Sequence, residues 1–435
     1  MDWKILGIVG TLIAGVLVAI GCPIGFAFLI GGFICLVTIK GFGPAFAFLG
    51  DRFFSVNITY ELSVVSLFLL LGNLCYHAGI TQSLYYAARL WVGHVKGGLL
   101  IATTLANALF GAASGSTTAA TAVFAKVAIP EMLNYKVDRA FAAGCVTAAG
   151  TLSALIPPSV LVVIYGILAK TSIAKLLIAT ILPGLLTTGI YIVTILVKTK
   201  ITPSLAPPLP KAPLKEKLFS ILDVWRILLL FILVMGGIFL GMFTPTEGGA
   251  IGAAGATLLL ILRSRGLTKA AFGAALLDSA KNSAGLFIII TGTYVFSSSL
   301  SLAGITSAIS QFVVELPIST TGIVIGILGL YFILGCILDP MSMLFLTVPI
   351  ILPVLTKLGV DLLWFGVLAV KMTCIGMITP PVGLNCFMFV SVRTDYRLEE
   401  VFKGVSWFIV AEIFIMIILV AFPEISLWLP RLMFK

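Results

Sequence analysis

Charge is what this chain has least of. Only 10% of its 435 residues are Asp, Glu, Lys or Arg, against 60% hydrophobic ones, and mean hydropathy is +1.19. No soluble globular domain has this balance, and apolar stretches of about 20 residues, the length that crosses a bilayer, recur throughout. Imidazole is nearly absent: His77 and His94 are far too few for a histidine-built metal cluster. The seven cysteines lie in apolar stretches without a Cys-x-x-Cys pair. They read as small buried hydrophobes rather than as metal ligands or disulfides. A Gly-x-x-x-x-Gly-Lys-Ser/Thr loop is also missing, which excludes ATP hydrolysis within this chain. With no nucleophile–base pairing evident, no enzymatic activity is expected. The net charge of +10 would suggest nucleic acid for a soluble protein, but here the basic residues sit in loops, as the positive-inside rule expects. The fold class expected is an all-α polytopic membrane protein.

What the sequence does contain is two matching interruptions. The first is Phe110-Gly-Ala-Ala-Ser-Gly-Ser-Thr-Thr-Ala-Ala-Thr121, followed some forty residues on by Ile156-Pro-Pro-Ser159. The second is Leu334-Gly-Cys-Ile-Leu-Asp-Pro340, followed at the same interval by Thr379-Pro-Pro-Val-Gly-Leu-Asn385. Each is a polar, helix-breaking patch inside an apolar run. Broken backbone at membrane depth is tolerated only where protein buries it or a water-filled cavity receives it. Such pairs at corresponding positions of two halves point to the binding site of a secondary transporter.

The halves also match elsewhere. Trp3 and Pro23 recur as Trp225 and Pro245, and Ala78-Gly-Ile-Thr81 recurs as Ala303-Gly-Ile-Thr306. Pro130, Asp138, Pro157-Pro158 and Leu161 meet Pro353, Asp361, Pro380-Pro381 and Leu384 at a constant offset of 223. Two copies of one unit are expected: residues 1–198, with a hairpin over 97–134 and a broken span over 137–168, and residues 224–435, with a hairpin over about 321–357 and a broken span over 360–391. A proline-rich cytoplasmic linker, 199–223, joins them. Spans are expected over 5–20, 24–39, 62–78 and 173–197, with an interfacial helix over 82–94. The start, Met1-Asp-Trp-Lys4, leads into an apolar run without a small-residue cleavage site, so it reads as a retained span.

Each unit then has five crossings and a re-entrant hairpin. The odd number inverts the second unit relative to the first. Placing the N- and C-termini outside puts 17 basic residues, among them Lys281, Arg263 and Arg265, on the cytoplasmic side. Eight remain outside, among them Lys4 and Lys435, the expected bias. The hairpins therefore enter from opposite faces and their tips meet near the midplane.

Half-helices ending there present N–H donors that suit a carboxylate and carbonyls that suit a desolvated sodium ion. Ser114, Gly115, Ser116, Thr117 and Thr118 supply small hydroxyls at the first tip, and Gly150, Thr151, Ser153 and Ser159 supply them around the first break. Gly335, Asp339, Thr373, Gly376, Thr379, Gly383 and Asn385 are their counterparts. Small residues alone are ordinary packing in membrane helices; paired with a Pro-Pro break and repeated, they read better as a site. Asp339 aligns with Ser116 and is a carboxylate in an apolar run, a functional candidate by default. It reads as a cation ligand or a substrate hydrogen-bonding group. Lys371 either pairs with a carboxylate or helps bind an anion; Lys126 snorkels. Glu61 and Glu412 read as solvated near span ends, and Glu247 as a helix cap.

These residues resemble the large membrane subunit of TRAP transporters, the DctM-type family. Ser114-Gly-Ser116, Ile156-Pro-Pro-Ser159, Phe243-Thr-Pro-Thr-Glu247, Gly335-Cys-Ile-Leu-Asp339 and Thr379-Pro-Pro-Val-Gly-Leu-Asn385 carry the match, which spans essentially the whole chain. The resemblance implies an elevator mechanism driven by a sodium gradient, in which hairpins and broken spans form the mobile domain and the other spans the scaffold. It implies one sodium ion among Ser114, Gly115, Ser116, Thr118, Gly150, Ser153 and Pro157, and another among Gly335, Asp339, Thr373, Gly376 and Thr379. Substrate falls to Ser116, Thr117, Ser159, Asp339, Thr379, Gly383 and Asn385. No other metal or cofactor is implied. The implied partners are an extracytoplasmic substrate-binding protein and a small four-helix membrane subunit, here a separate chain because this one starts directly at the first repeat. The implied cargo is an organic acid such as sialic acid or a C4-dicarboxylate, and the location is the bacterial inner membrane. A stand-alone sodium/carboxylate symporter of the divalent-anion type is the alternative, although its Ser-Asn-Thr tip signature is missing.

Overall fold

The computed structural model describes residues 3–263 and 268–433; Arg265 and Lys435, used in the charge comparison, lie outside them. The described residues are all-helical, and six helices are long and apolar enough to cross a membrane, with shorter apolar helices besides. This is a multi-pass membrane protein.

Helix order repeats between the halves. Trp3–Ala19 and Ile24–Lys40 lead into Phe42–Asn57, Tyr60–His77 and Ile80–Val92. After the linker, Leu214–Phe239 and Pro245–Arg263 lead into Thr268–Leu302 and Ile305–Val314. Local chemistry explains the agreement: Gly79 and Gly304 both adopt left-handed backbone, with φ of 69° and 75°, a conformation open to glycine. One difference stands out. The connector expected around Lys40 and Arg52 is itself a helix, Phe42–Asn57, separated from Tyr60–His77 by a short kink, whereas the second half runs through as one 35-residue helix. At 1.5 Å per residue that helix is about 52 Å long, well beyond the roughly 30 Å hydrocarbon core.

Each half continues with a helical hairpin and an interrupted helix. Gly98–Ser114 and Thr117–Asn134 form the first hairpin; Thr320–Gly335 and Pro340–Lys357 form the second. The interrupted helices are Arg139–Gly150 with Val160–Ala169, and Leu362–Gly376 with Leu384–Val392. Asp138 and Asp361 start them in the same way: Asp138 Oδ1 accepts from Phe141 N at 2.8 Å and Asp361 Oδ1 from Leu363 N at 2.8 Å, which satisfies orphan donors of the first turn. Both Pro-Pro bonds, Pro157-Pro158 and Pro380-Pro381, are cis. The halves close with Ile173–Ala179 and Ile181–Ile201, and with Leu398–Ala421 and Glu424–Met433. The helix ending at Ile201 leaves residues 202–213 largely outside helix, and that segment is tied down. Its Leu205 and Ala206 carbonyls accept from Asp138 N at 2.8 Å and Gly97 N at 3.1 Å.

Packing crosses between the halves reciprocally. Val160–Ala169 packs on Pro340–Lys357, and Leu384–Val392 packs on Thr117–Asn134. Likewise Thr268–Leu302 packs on Ile24–Lys40, and Pro245–Arg263 on Tyr60–His77. A close crossing joins Leu398–Ala421 to Arg139–Gly150, where a Cβ on Gly404 would lie 1.7 Å from the Ala140 carbonyl oxygen. Outside the helices, Arg393 grips Asp395 through Nε and Nη2 at 2.8 and 2.9 Å. That bidentate bond holds the Asp395 carboxyl below the usual carboxylate range. Arg139 Nη2 donates to the Asp395 carbonyl at 2.7 Å, fastening the turn after the second interrupted helix to the start of the first.

Gly404→Leu is predicted to cost about 1–3 kcal/mol by overpacking, read as a lower apparent melting temperature in detergent. Gly189→Ala, at a glycine with open space around it, is predicted to leave that temperature unchanged or slightly higher.

Candidate functional site

The two hairpin tips meet on one cavity. Ser116 is the N-cap of Thr117–Asn134, its Oγ accepting from Ala119 N at 3.4 Å. Asp339, 223 residues on, is the N-cap of Pro340–Lys357: Oδ1 accepts from Met341 N and Ser342 N, each at 3.1 Å, and Oδ2 accepts from the Ser342 hydroxyl. Pro340 fits directly behind it, because the first helical position has no N–H to lose. Gly115, Ser116, Thr117, Thr118 and Asp339 together line a cavity of about 510 Å³. A smaller one of about 330 Å³ shares Leu69, Ser116, Ala119, Ala122, Lys281 and Asn282 with it and adds Ser114 and Asn73.

The first tip rests on the first break. Gly115 has φ of 58°, and a Cβ there would stand 3.1 Å from the Pro158 carbonyl oxygen. A Cβ on Gly111 would lie 3.2 Å from Ser153 Oγ, and one on Gly150 would lie 3.2 Å from the Thr117 carbonyl oxygen. Glycine at these points lets tip and break approach to backbone contact. Between them, the hydroxyls of Ser114 and Ser153 are buried, 6% and 0% exposed, with no hydrogen-bond partner. Orphaned buried hydroxyls are costly, and oxygen ligands beside unwound carbonyls are the donor set a hard cation takes.

At the second tip Gly335 stands against Gly376, where a Cβ on the latter would fall 2.4 Å from the Gly335 carbonyl oxygen. Thr373 and Thr379 donate their hydroxyls to the Val370 and Ile375 carbonyls at 2.6 and 2.7 Å. Their oxygen lone pairs remain available.

Other candidates lie off the cavity. Ser159 donates to the Ala154 carbonyl at 2.5 Å and caps Val160–Ala169. Asn385 is fully buried, with Nδ2 donating to the Thr147 carbonyl at 3.5 Å and Oδ1 without a partner. Neither they nor Thr379, Gly383, Gly150 or Pro157 are on the wall of either cavity. The Gly383 end is represented there by Leu384, and the turn by Met377, whose sulfur accepts from the Thr117 hydroxyl at 3.2 Å.

The reading of Glu412 as a solvated residue is corrected. It is fully buried, and Lys371 Nζ, also fully buried, donates to its Oε1 at 2.7 Å. Tyr191 donates to the same carboxylate oxygen, and its hydroxyl lies 3.4 Å from Thr151 Oγ1 in the first break. Lys371 thus pairs with a carboxylate, one of its two expected fates. Lys126 and Glu61 are exposed. Glu247 accepts from Thr244 N at 2.8 Å as a helix cap.

Sequence reasoning missed Lys281 and Asn282. Lys281 entered only the count of cytoplasmic basic residues; the helix runs straight through both and sets them on the cavity wall. Asp278 itself is 3.2 Å from His77 Nε2, and Ser279 accepts from Asn73 Nδ2 at 2.9 Å.

The family model for the DctM component of the tripartite ATP-independent periplasmic transporters matches residues 11–425. Over 396 residues the chain is 34% identical to the C4-dicarboxylate TRAP transporter large permease protein DctM of Pseudomonas aeruginosa, covering 91% of this chain and 92% of that one. It is 29% identical over 432 residues to the sialic acid TRAP transporter large permease protein SiaM of Vibrio cholerae, covering 99% of each. Identity to the ectoine TRAP transporter large permease protein TeaC of Halomonas elongata is 30% over 376 residues, or 86% and 87% of the two chains. Among solved structures, the YdaH transporter of Alcanivorax borkumensis superposes with a TM-score of 0.62 over 91% of each chain at 15% identity, a likeness of fold.

Removing one partner of the Lys371–Glu412 pair strands a buried charge. Lys371→Met and Glu412→Gln are each predicted to destabilise the protein by about 3–5 kcal/mol, and Lys371→Met with Glu412→Leu to recover part of that loss. Thermal unfolding of the three variants in detergent measures this; a single variant that melts like the wild type would contradict it.

Proposed function

The chain belongs to the DctM component family of the tripartite ATP-independent periplasmic transporters, and from that premise we propose that it is the membrane subunit that carries an organic acid inward on a sodium gradient. The observation that supports this most is the meeting of Ser116 and Asp339, equivalent N-caps of two hairpins, on one cavity. A helix N-terminus exposes N–H groups and a partial positive charge, so the Thr117–Asn134 end, with the Ser116, Thr117 and Thr118 hydroxyls, suits a carboxylate.

In this reading the halves are inverted repeats, and the hairpins are re-entrant. The N-terminus lies outside the bacterial inner membrane. Hairpins and interrupted helices move together as the elevator, with Ile181–Ile201 and Leu398–Ala421, which Tyr191, Glu412 and Lys371 pin to them, and the remaining helices stay as scaffold. One sodium ion sits between first tip and first break, taking the unpartnered Ser114 and Ser153 hydroxyls as ligands. A second sits among Gly335, Asp339, Thr373, Gly376 and Thr379. Cargo is a carboxylic acid of the C4-dicarboxylate or sialic acid kind, delivered by a binding protein, with a small membrane subunit bracing the scaffold.

The test is uptake of radiolabelled acids into proteoliposomes that hold this chain and its small partner, under an inward sodium gradient. Uptake that requires both sodium and the binding protein supports the proposal. Sodium-driven uptake without the binding protein would favour a stand-alone symporter instead.

The first sodium seat has its own check. Ser153→Ala removes an orphaned hydroxyl, so without sodium the variant is predicted to melt at or above the wild-type temperature. The rise in melting temperature produced by sodium, which follows site occupancy, is predicted to shrink. An undiminished sodium response would rule that seat out.

A further inference from the structure

Two cavities side by side, one lysine between them: Lys281 stands on the wall of both, next to Asn282. Both residues belong to Thr268–Leu302, which is part of neither hairpin and neither interrupted helix. Among the described residues lining these walls, Lys281 is the one basic side chain. Its acidic neighbours are already engaged. Asp339 accepts from Met341 N, Ser342 N and the Ser342 hydroxyl, and Asp278 faces His77 Nε2 at 3.2 Å. Lys281 makes no ion pair among the described residues, and it is exposed to the cavity rather than shielded in the core. Ser116, Thr117 and Thr118 line the larger cavity with it. The unpartnered Ser114 hydroxyl, 6% exposed, is on the wall of the smaller cavity.

Resting on the function proposed above, we infer that Lys281, with Asn282 beside it, binds the carboxylate of the cargo acid from the stationary side of the cavity. An ammonium ion donating to a carboxylate is a charge-assisted bond, stronger than a neutral one, and lysine's long stem lets it follow acids of different length. The location of Lys281 matters as much as its charge. The tips carry the cargo away from Thr268–Leu302, so the Lys281 contact exists on one side of the transport cycle and is broken on the other. A ligand shifts a two-state equilibrium only by its differential affinity for the two states. Lys281 therefore makes binding tighter on the side where the tips face it and release easier on the opposite side.

The experiment compares wild type, Lys281→Met and Lys281→Arg, each reconstituted with the small membrane subunit and binding protein. The probe is whichever radiolabelled acid from a panel of C4-dicarboxylates, sialic acid and monocarboxylates the wild type transports. Half-saturating acid concentration is measured from each face, and half-saturating sodium is measured alongside. Lys281→Met is expected to raise the half-saturating acid concentration about tenfold or more from one face alone. Its sodium dependence and melting temperature stay near wild type, and Lys281→Arg regains most of the affinity. Equal acid affinity in wild type and Lys281→Met at both faces would overturn the inference, and so would an equal loss at both faces. If the wild type transports no acid on the panel, the underlying functional reading fails and this inference falls with it.

Discussion

A helix that stops inside an apolar interior leaves backbone N–H and C=O groups that no water can satisfy, and this structure is arranged around four such stops. Each is met by a specific device. Ser116 and Asp339 cap the second arms of the hairpins, and Ser159 caps the second half of the first interrupted helix. At the second break Asn385 N donates to the Met377 carbonyl at 2.9 Å. Of the groups left over, the Ser114 hydroxyl is on the wall of the smaller cavity, while Ser153 Oγ and Asn385 Oδ1 are buried behind it without a partner. An unmet hydrogen-bonding requirement is thereby confined to a few residues.

The second constraint is that the breaks hold each other. Tip meets break through glycine at both places, Gly111 and Gly115 on the first and Gly335 against Gly376 on the second. The buried Lys371–Glu412 pair then ties the two breaks into one body, since Tyr191 links Glu412 to Thr151. Charges so deeply buried persist only when fully paired. These links join the hairpin tips, the interrupted helices, Ile181–Ile201 and Leu398–Ala421 into one packed body. Thr268–Leu302 packs chiefly on Ile24–Lys40 and Tyr60–His77, and more lightly on Pro340–Lys357.

Much of this was legible in the sequence because caps and turns are local. Asp138 and Asp361, Gly79 and Gly304, and Ser116 and Asp339 announce helix starts and reversals from their own chemistry. Glu412 and Lys281 were not legible, because their surroundings are built by distant segments. Glu412 meets a lysine 41 residues away and a tyrosine 221 residues away. Lys281 looks like a loop residue until the continuity of a 35-residue helix is known. The kink at Asn57-Ile-Thr59, where the second half has unbroken helix, carries no proline or glycine to mark it.

Access to the first tip from either face tests the central claim most directly. Thr118, half-buried on the cavity wall, is changed to cysteine in a Cys22→Ser background, since the other native cysteines are buried. A membrane-impermeant thiol reagent is applied to each face separately, with and without sodium and cargo acid. The account predicts labelling from one face in one condition and from the opposite face in the other. Labelling confined to the same face in every condition would contradict it.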